Sequence, residues 1–427
     1  MTRHSTTAKL VFLASLAFAC DDTVLDTSRR SPPGEVVAST KPRSTSAVPT
    51  EDTRRLTSDD AAFALDVLRT AVARDNFVFS PHSISIALAM TYAGARERTA
   101  SQMARALHFG LAPDRLHPAF GALDLELARR SEKTVESGKA FGLNVSSSIW
   151  AQRGYTFLGP YLDLLAESYG ASLSLLDFAT DPEGSRKAVN RWVSDRTEAR
   201  IPELIPAGVV TPLTVLVLTN AVYFSASWKE RFEPAATTDG SFTKLDGVAV
   251  PARLMHQSKQ HRYAEGAGWQ ALELPYVGDD LSMLVILPAS GTFETFRTSL
   301  DAPKLGAVAE SLGTRQVEVT LPRFSFKTAL GVKPVLQRLG MTDAFEGGVA
   351  DFSGMDGSRS LFVQDVIHEA FIAVDEAGTE AAAATAVVVG RTSAPERATF
   401  TADRPFLLAI RDNPTGAVLF LGQVVSP

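Results

Sequence analysis

Apolar positions change their spacing part-way along the chain, and the change predicts helices first and strands afterwards. Up to residue 200, apolar residues recur every three or four positions, as on the buried side of a helix. Cap-type residues precede the first of these segments, and Pro81 lies near the start of the second, where its missing N–H costs little. The spacing predicts helices at 61–72, 80–90, 99–108, 113–129, 161–169 and 183–200.

After residue 200 the pattern becomes typical of strands. The stretch 213–224 is apolar and rich in β-branched residues, as expected of a strand buried on both faces. A turn-type sequence from Asp412 to Gly416 joins the last two strands into a terminal pair. With no repeat visible, this order predicts an α+β domain. The further strands are predicted at 281–288, 316–322, 362–374, 400–410 and 417–425.

Composition and motifs narrow the classes of function. With 45% hydrophobic residues and evenly scattered charge after residue 56, the chain fits one large domain over 56–427. The net charge of −6 and the absence of Lys/Arg runs beside aromatic residues exclude a basic surface for nucleic acid. No metal, phosphate-binding or catalytic motif is present, so neither a cofactor nor an enzyme is expected. The Gly-x-Gly spacing at Gly266 leads into a strand-like sequence and predicts no dinucleotide site.

The N-terminus predicts export. Basic residues precede an apolar run that ends at residue 19, and this run is too short to cross a bilayer, so 1–19 is predicted to be a signal peptide. Cys20, the single cysteine, follows at once, and the pattern resembles a bacterial lipoprotein signal in which Cys20 carries the lipid. The alternative is a plain secretory signal with an incidental cysteine. Residues 20–55 are polar, lack aromatic residues and are predicted to form a disordered tether, so the protein is expected to be secreted or lipid-anchored at the cell envelope.

A run of small residues from Glu376 to Gly390 is the most informative stretch. With period two, Thr379 and the alternate small residues after it fall on one face, and Glu380 falls on the other. Composition alone favours a buried strand or a helix, given the helix propensity of alanine. The cluster of Gly, Ser and Pro from 390 to 395 interrupts any regular element and favours an exposed loop. Such a loop is suited to become a strand.

This run resembles the reactive-centre hinge of inhibitory serpins. Five further stretches look like serpin motifs in serpin order, so the resemblance covers roughly 56–427. It implies three β-sheets, about eight or nine helices and a reactive-centre loop at about 376–398. The matching stretches are 76–85, 220–224 with Trp228, 368–376, 403–410 and 419–427.

The resemblance implies an irreversible suicide-substrate inhibitor of serine proteases that contributes no catalytic residue. The loop would be cleaved, form an acyl-enzyme, and insert into a β-sheet while holding the protease in a covalent 1:1 complex with a monomer. The alternative is a non-inhibitory serpin-like binding protein. The small residues of the hinge favour inhibition, because inserted side chains must be small and uncharged.

The resemblance also assigns site residues. The reactive bond is Thr392–Ser393, which predicts an elastase-like or subtilisin-like target, or Arg391–Thr392 in a register one residue shorter, which predicts a trypsin-like target. A polar cluster at the opening sheet is Ser80, Ser83, Asn220 and His368, with Trp228 at the upper entry point of the loop. The hinge residues are Glu376, Gly378, Thr379, Glu380, Ala381, Ala382, Ala383 and Ala384.

Overall fold

Two β-sheets with helices packed around them organise the part of the chain that the computed structural model describes, namely residues 32–71, 74–131, 142–379 and 397–427. All six predicted helices are present, and four short helices that the spacing did not indicate follow them. A π-helical turn at Leu165–Tyr169 continues the fifth helix. The α-helices are α1 Thr50–Thr70, α2 Pro81–Tyr92, α3 Glu97–Ala106, α4 Pro113–Ser131, α5 Gly159–Leu164, α6 Pro182–Arg196, α7 Phe293–Ser299, α8 Ala302–Glu310, α9 Val332–Arg338 and α10 Ser353–Asp356.

The strands include every stretch that the apolar pattern predicted. The single strand predicted at 400–410 is two strands, because Pro405 lacks the N–H that a ladder needs and the chain changes partner there. The strands are β1 Glu35–Val37, β2 Phe77–Phe79, β3 Gly142–Gln152, β4 Leu173–Leu176, β5 Leu216–Ser227, β6 Thr238–Thr243, β7 Ala249–Gly266, β8 Trp269–Pro275, β9 Leu281–Pro288, β10 Gly313–Pro322, β11 Phe324–Gly331, β12 Asp365–Val374, β13 Gly378–Thr379, β14 Arg397–Thr401, β15 Phe406–Asp412 and β16 Val418–Val424.

The seven-stranded sheet has the order β1-β4-β3-β5-β13-β12-β11. At its centre β5 and β12 run parallel and pair directly, from Val217 with Asp365 to Tyr223 with Phe371. The two-residue strand β13 lies between them beyond the end of this ladder. In the middle of this sheet, β5 and β12 therefore pair along only part of their length, and β13 lies between them at one end.

The nine-stranded sheet has the order β14-β10-β7-β8-β9-β15-β16-β2, with β6 paired to β7. The long strand β7 pairs with β6 at its start, with β10 along its middle and with β8 at its end. The resemblance implied three sheets. The described strands form two hydrogen-bonded sheets instead. The continuous strand β7 pairs with β6, β10 and β8 in turn, so these ladders belong to one sheet and not to two.

The helix α2 lies in the interior between the two sheets. It is buried from Pro81 to Thr91 and is apolar on most sides, as expected of a helix surrounded by protein. It packs against β3 and β5 of one sheet and β16 of the other. Its N-terminal end therefore brings Ser80 and Ser83 to the centre of the seven-stranded sheet.

The N-terminal boundary of the folded part differs from the prediction. A disordered tether was expected over 20–55, but β1 at Glu35–Val37 pairs with β4, and α1 begins at Thr50. The prediction is wrong for residues 32–55, because the absence of aromatic residues does not prevent a short segment from adding to a sheet edge through its backbone. The signal peptide 1–19 and Cys20 lie outside the described residues.

Candidate functional site

The parallel ladder between β5 and β12, called the seam below, is the centre of the candidate site. Seven residue pairs join the two strands, from Val217 with Asp365 to Tyr223 with Phe371. Beyond Tyr223, β5 continues to Ser227 without pairing to β12. Because β5 and β12 no longer pair with each other there, another strand can lie between them.

Gly378 and Thr379 occupy this place. They pair antiparallel with Ser227 and Ala226 of β5, and Thr379 also pairs with Val374 of β12. A Cβ atom on Gly378 would lie 2.1 Å from the Ala226 carbonyl oxygen, so only glycine fits here. Two residues of the predicted hinge thus lie between β5 and β12.

A tight turn at Asp375 directs the chain back into the seam. One carboxylate oxygen of Asp375 accepts hydrogen bonds from the backbone N–H groups of Ala377, at 2.8 Å, and Gly378, at 3.2 Å. The Asp375 N–H donates to the Gly378 carbonyl at 3.0 Å. An aspartate suits this position because its short side chain can satisfy the N–H groups of a turn.

Thr379 is fully buried, and its hydroxyl lies 2.7 Å from the hydroxyl of Tyr276. Burial raises the pKa of Tyr276 well above its usual value, and the hydrogen bond with Thr379 opposes that rise. A neutral hydroxyl pair satisfies both groups where water is excluded. Sequence reasoning missed Tyr276, because a single tyrosine outside the predicted strands carries no local signal of this role.

Trp228 and Glu376 support the same turn. The indole of Trp228 stacks on Tyr276 with ring centroids 4.6 Å apart, and its N–H donates to the Asp375 carbonyl at 2.9 Å. The Glu376 carboxylate accepts a hydrogen bond from the Thr237 hydroxyl at 2.6 Å, and its other oxygen lies 3.6 Å from Arg323. Sequence reasoning found Trp228 and Glu376 through the resemblance, but it did not find Thr237 or Arg323.

A buried polar network crosses the middle of the seam. His368 on β12 stands opposite Asn220 on β5, and its Nδ1 lies 2.5 Å from the Asn220 side-chain oxygen. The Nε2 atom of His368 accepts the Ser80 backbone N–H at 3.1 Å. The Ser83 hydroxyl donates to the same Asn220 oxygen at 2.7 Å, and the Asn220 amide donates to the Ser147 hydroxyl at 2.6 Å. The structure therefore brings the four predicted cluster residues together.

These contacts determine the protonation of His368. Because Nε2 accepts a hydrogen bond from an N–H group, the ring carries its proton on Nδ1 and is neutral. Complete burial lowers the pKa of His368 to about 3, and its contact with Asn220 opposes this change. A neutral network of this kind can exchange hydrogen-bond partners without leaving a charge in the core.

The remaining predicted site residues lie outside the described residues. These are Glu380, Ala381, Ala382, Ala383, Ala384, Arg391, Thr392 and Ser393. The described chain resumes at Arg397 in β14, which pairs parallel with β10 in the nine-stranded sheet. The predicted loop therefore connects the centre of one sheet to the edge strand of the other.

Other kinds of site find no support within residues 32–71, 74–131, 142–379 and 397–427. No group of three or more His, Cys, Asp or Glu side chains there is placed to hold a metal ion. No described helix is both long and apolar enough to cross a membrane.

Residues 58–427 match the family described as Serpin (serine protease inhibitor). The chain belongs to the serpin family. Rat leukocyte elastase inhibitor A is 37% identical over 385 residues, which are 87% of this chain and all of the relative. A serpin-like protein of Thermococcus kodakarensis is 40% identical over 372 residues, which are 86% of this chain and 84% of the relative. These matches confirm the predicted family.

Solved structures confirm the predicted serpin fold. Native tengpin, a thermophilic serpin, superposes with a TM-score of 0.81 at 27% identity, covering 92% of this chain and 98% of tengpin. Uncleaved ovalbumin superposes with a TM-score of 0.76 at 27% identity, covering 87% of this chain and all of ovalbumin.

Proposed function

We propose that this chain is an irreversible suicide-substrate inhibitor of serine proteases. The observation that carries the proposal is the position of Gly378 and Thr379 between β5 and β12. A loop that has started to form a central strand needs only to be cut to continue along the same path. Its next residues, Glu380 to Ala384, are small apart from one glutamate, which alternation places on the outer face.

The energetics of insertion favour an irreversible change. About ten loop residues would gain ladder hydrogen bonds of roughly 0.5–1.5 kcal/mol each, so the total is on the order of 10 kcal/mol before apolar burial is added. Insertion of the loop would also release strain that is stored in the intact fold. The feature specific to this chain is the run of small residues from Ala381 to Ala384, which would fit between β5 and β12.

Trapping follows from distortion of the bound protease. An acyl-enzyme forms when the catalytic serine of the protease attacks the loop, and insertion then pulls the attached protease across the inhibitor. Loss of one oxyanion-hole donor alone slows catalysis about 10²- to 10³-fold, so displacement of the whole triad would leave the ester intact for a long time.

The target protease depends on which bond is attacked. Cleavage at Thr392–Ser393 would suit elastase-like or subtilisin-like enzymes, and cleavage at Arg391–Thr392 would suit trypsin-like enzymes. Relatives that bear the name leukocyte elastase inhibitor support the first reading. We further propose that the protein acts outside the cytoplasm, secreted or held at the cell envelope through Cys20.

The proposal is tested by incubating the protein with elastase, subtilisin and trypsin in turn. We expect a covalent 1:1 complex that survives boiling in detergent, together with a released peptide of residues 393–427 or 392–427, identified by its mass. A protease with a chemically blocked active-site serine is the control and should give no complex. Cleavage of the loop without any complex would favour the alternative, a non-inhibitory serpin-like binding protein.

A further inference from the structure

The helix α2 is held in the core mainly by apolar contacts. Its residues from Pro81 to Thr91 are all buried, and it packs against α1, α4, β3, β5 and β16. Apolar contacts are not directional, so they define the rotation of a helix about its axis only weakly. Hydrogen bonds and ion pairs in a core are directional and define the rotation of a buried helix much more closely.

The first turn of α2 carries two of the four residues of the polar network at the seam. Ser80 is the N-cap of the helix, and its backbone N–H donates to Nε2 of His368 at 3.1 Å. The Ser83 hydroxyl donates to the side-chain oxygen of Asn220 at 2.7 Å. Both hydrogen bonds depend on the rotation of this turn, because a hydrogen bond weakens steeply when its length or angle changes.

A buried pair of ionisable side chains holds another side of the same turn. Nδ1 of His82 lies 3.1 Å from a carboxylate oxygen of Asp60 on α1, and each of the two side chains is only 4% exposed. The His82 ring also lies 6.2 Å from the Phe120 ring of α4, measured between centroids. Because an ionised carboxylate only accepts hydrogen bonds, Nδ1 carries a proton and donates it to Asp60. The pair therefore connects the first turn of α2 to α1 in one orientation.

Stability alone does not explain this pair. Among the described residues, His82 is the only hydrogen-bonding partner of the Asp60 carboxylate, and Nε2 of His82 is buried without a partner. A buried pair with an unsatisfied atom is often no more stable than apolar side chains of similar volume. The best-attested use of such pairs is to fix the register of the elements that carry them. The polar network at the seam requires a fixed register of this kind.

We propose that Asp60 and His82 are positioning residues, which set the rotation of the first turn of α2 and so place the Ser80 N–H and the Ser83 hydroxyl on the polar network. The inference rests on the proposed function, because a precisely placed network matters for inhibition only if the loop inserts at the seam. Sequence reasoning did not find the pair, because its members lie 22 residues apart and neither belongs to a local motif.

The pair is tested by amide hydrogen exchange on the intact full chain, with no protease present. In Asp60→Ala and in the double variant Asp60→Ala/His82→Leu, we expect the Ser80 amide to exchange about fivefold faster, because its hydrogen bond to His368 is weakened. The urea midpoint of the double variant should stay close to the wild-type value, because apolar side chains replace the whole pair.

Two further variants separate orientation from the loss of a buried charge. Asp60→Asn keeps a side-chain oxygen that can accept the proton of His82 Nδ1, so its Ser80 amide should exchange at the wild-type rate. The matched control is Asp52→Ala, which removes another buried carboxylate of α1, paired with Arg115 of α4. This control should also leave the Ser80 amide at the wild-type rate, because Asp52 makes no contact with α2 in the described structure.

The outcomes separate the positioning role from the proposed function. Faster exchange of the Ser80 amide in Asp60→Ala and in the double variant, but not in Asp60→Asn or Asp52→Ala, supports the role even if the protein forms no protease complex. A rate within twofold of wild type in Asp60→Ala and the double variant overturns it, even if the complex assay succeeds. Faster exchange in Asp60→Ala alone also overturns it, because the unpaired imidazole is then the cause. So does an acceleration that extends to Asp52→Ala or to β9 and β15, because it indicates general loss of stability. If the double variant does not fold, the comparison of Asp60→Ala with Asp60→Asn decides by the same criterion.

Discussion

The seam and the centre of the nine-stranded sheet are built in opposite ways. In β9, β15 and β16, almost every residue is buried and most are apolar, and the three strands form long antiparallel ladders. In the seam, the seven parallel pairs include His368 opposite Asn220. The ladder ends where Gly378 and Thr379, called the wedge below, lie between the two strands. Apolar contacts have no alternative partner in water, whereas hydrogen-bonded groups can exchange partners. We therefore call β9, β15 and β16 the scaffold, because their apolar contacts hold the fold in one arrangement. We call the seam the joint, because its polar contacts can be exchanged.

The largest expected effect is on the scaffold. Phe420→Ala on β16 removes a fully buried ring that lies 5.8 Å from the Phe224 ring, measured between centroids. We expect the free energy of unfolding to fall by about 3–5 kcal/mol, from lost burial and the cavity left behind. Urea denaturation measures this change. Leu213→Ala, at a side chain that is 81% exposed, is the control and should leave the midpoint unchanged.

A charge at the wedge should abolish insertion while leaving the scaffold intact. Thr379→Arg places a guanidinium where the native side chain is fully buried against Tyr276. Because an unpaired buried charge is strongly unfavourable, we expect the ratio of covalent complex to cleaved free inhibitor to fall about a hundredfold. Densitometry of a detergent gel measures this ratio. Thr379→Ser keeps the hydroxyl and should retain the complex, and equal yields from both variants would contradict the insertion path.

Acid should weaken the joint through His368. Its pKa is about 3 in the folded protein and near 6.5 when unfolded, so the unfolded chain binds the extra proton between these values. Stability is therefore complete above pH 6.5 and is lost as the pH falls towards 3, by about 2 kcal/mol between pH 7 and pH 5.

The matched measurement compares wild type with His368→Gln by urea denaturation at pH 7 and pH 5. Burial also lowers the pKa of His117 and of His261 to about 4, so both proteins should lose stability through these residues. The wild type should lose about 2 kcal/mol more than the variant. An identical loss in the two proteins would show that His368 does not titrate as its burial requires.

The smallest expected effect concerns the hydrogen bond between Tyr276 and Thr379. Tyr276→Phe keeps the ring on Trp228 but removes the hydroxyl that bonds Thr379. Loss of this hydrogen bond should lower the free energy that keeps Thr379 buried between β5 and β12 by about 1 kcal/mol. The association rate with a target protease should therefore change about fivefold. Stopped-flow kinetics measures the rate. Tyr155→Phe, on a ring remote from the wedge, is the control. If the two variants associate with the protease at the same rate, the Tyr276 hydroxyl does not influence association.

The first six helices and the most apolar strands could be predicted because their signals are local. A strand such as 281–288 is apolar at every position except Ser282, and 113–129 shows the spacing of a buried helix face. The missed elements lack such signals. In β6 only Phe242 is buried, and β1 contributes only three residues that pair with β4.

The sequence by itself determined the family, the α+β class and the four residues of the polar cluster, because residue types at set spacings carry these features. Only the tertiary structure decided that Gly378 and Thr379 already lie inside the sheet, that Tyr276 meets Thr379, and that the segment before α1 binds the sheet edge. These features join residues far apart in the chain. Their free energy comes from contacts that exist only after the strands and helices have been brought together, so no local pattern records them.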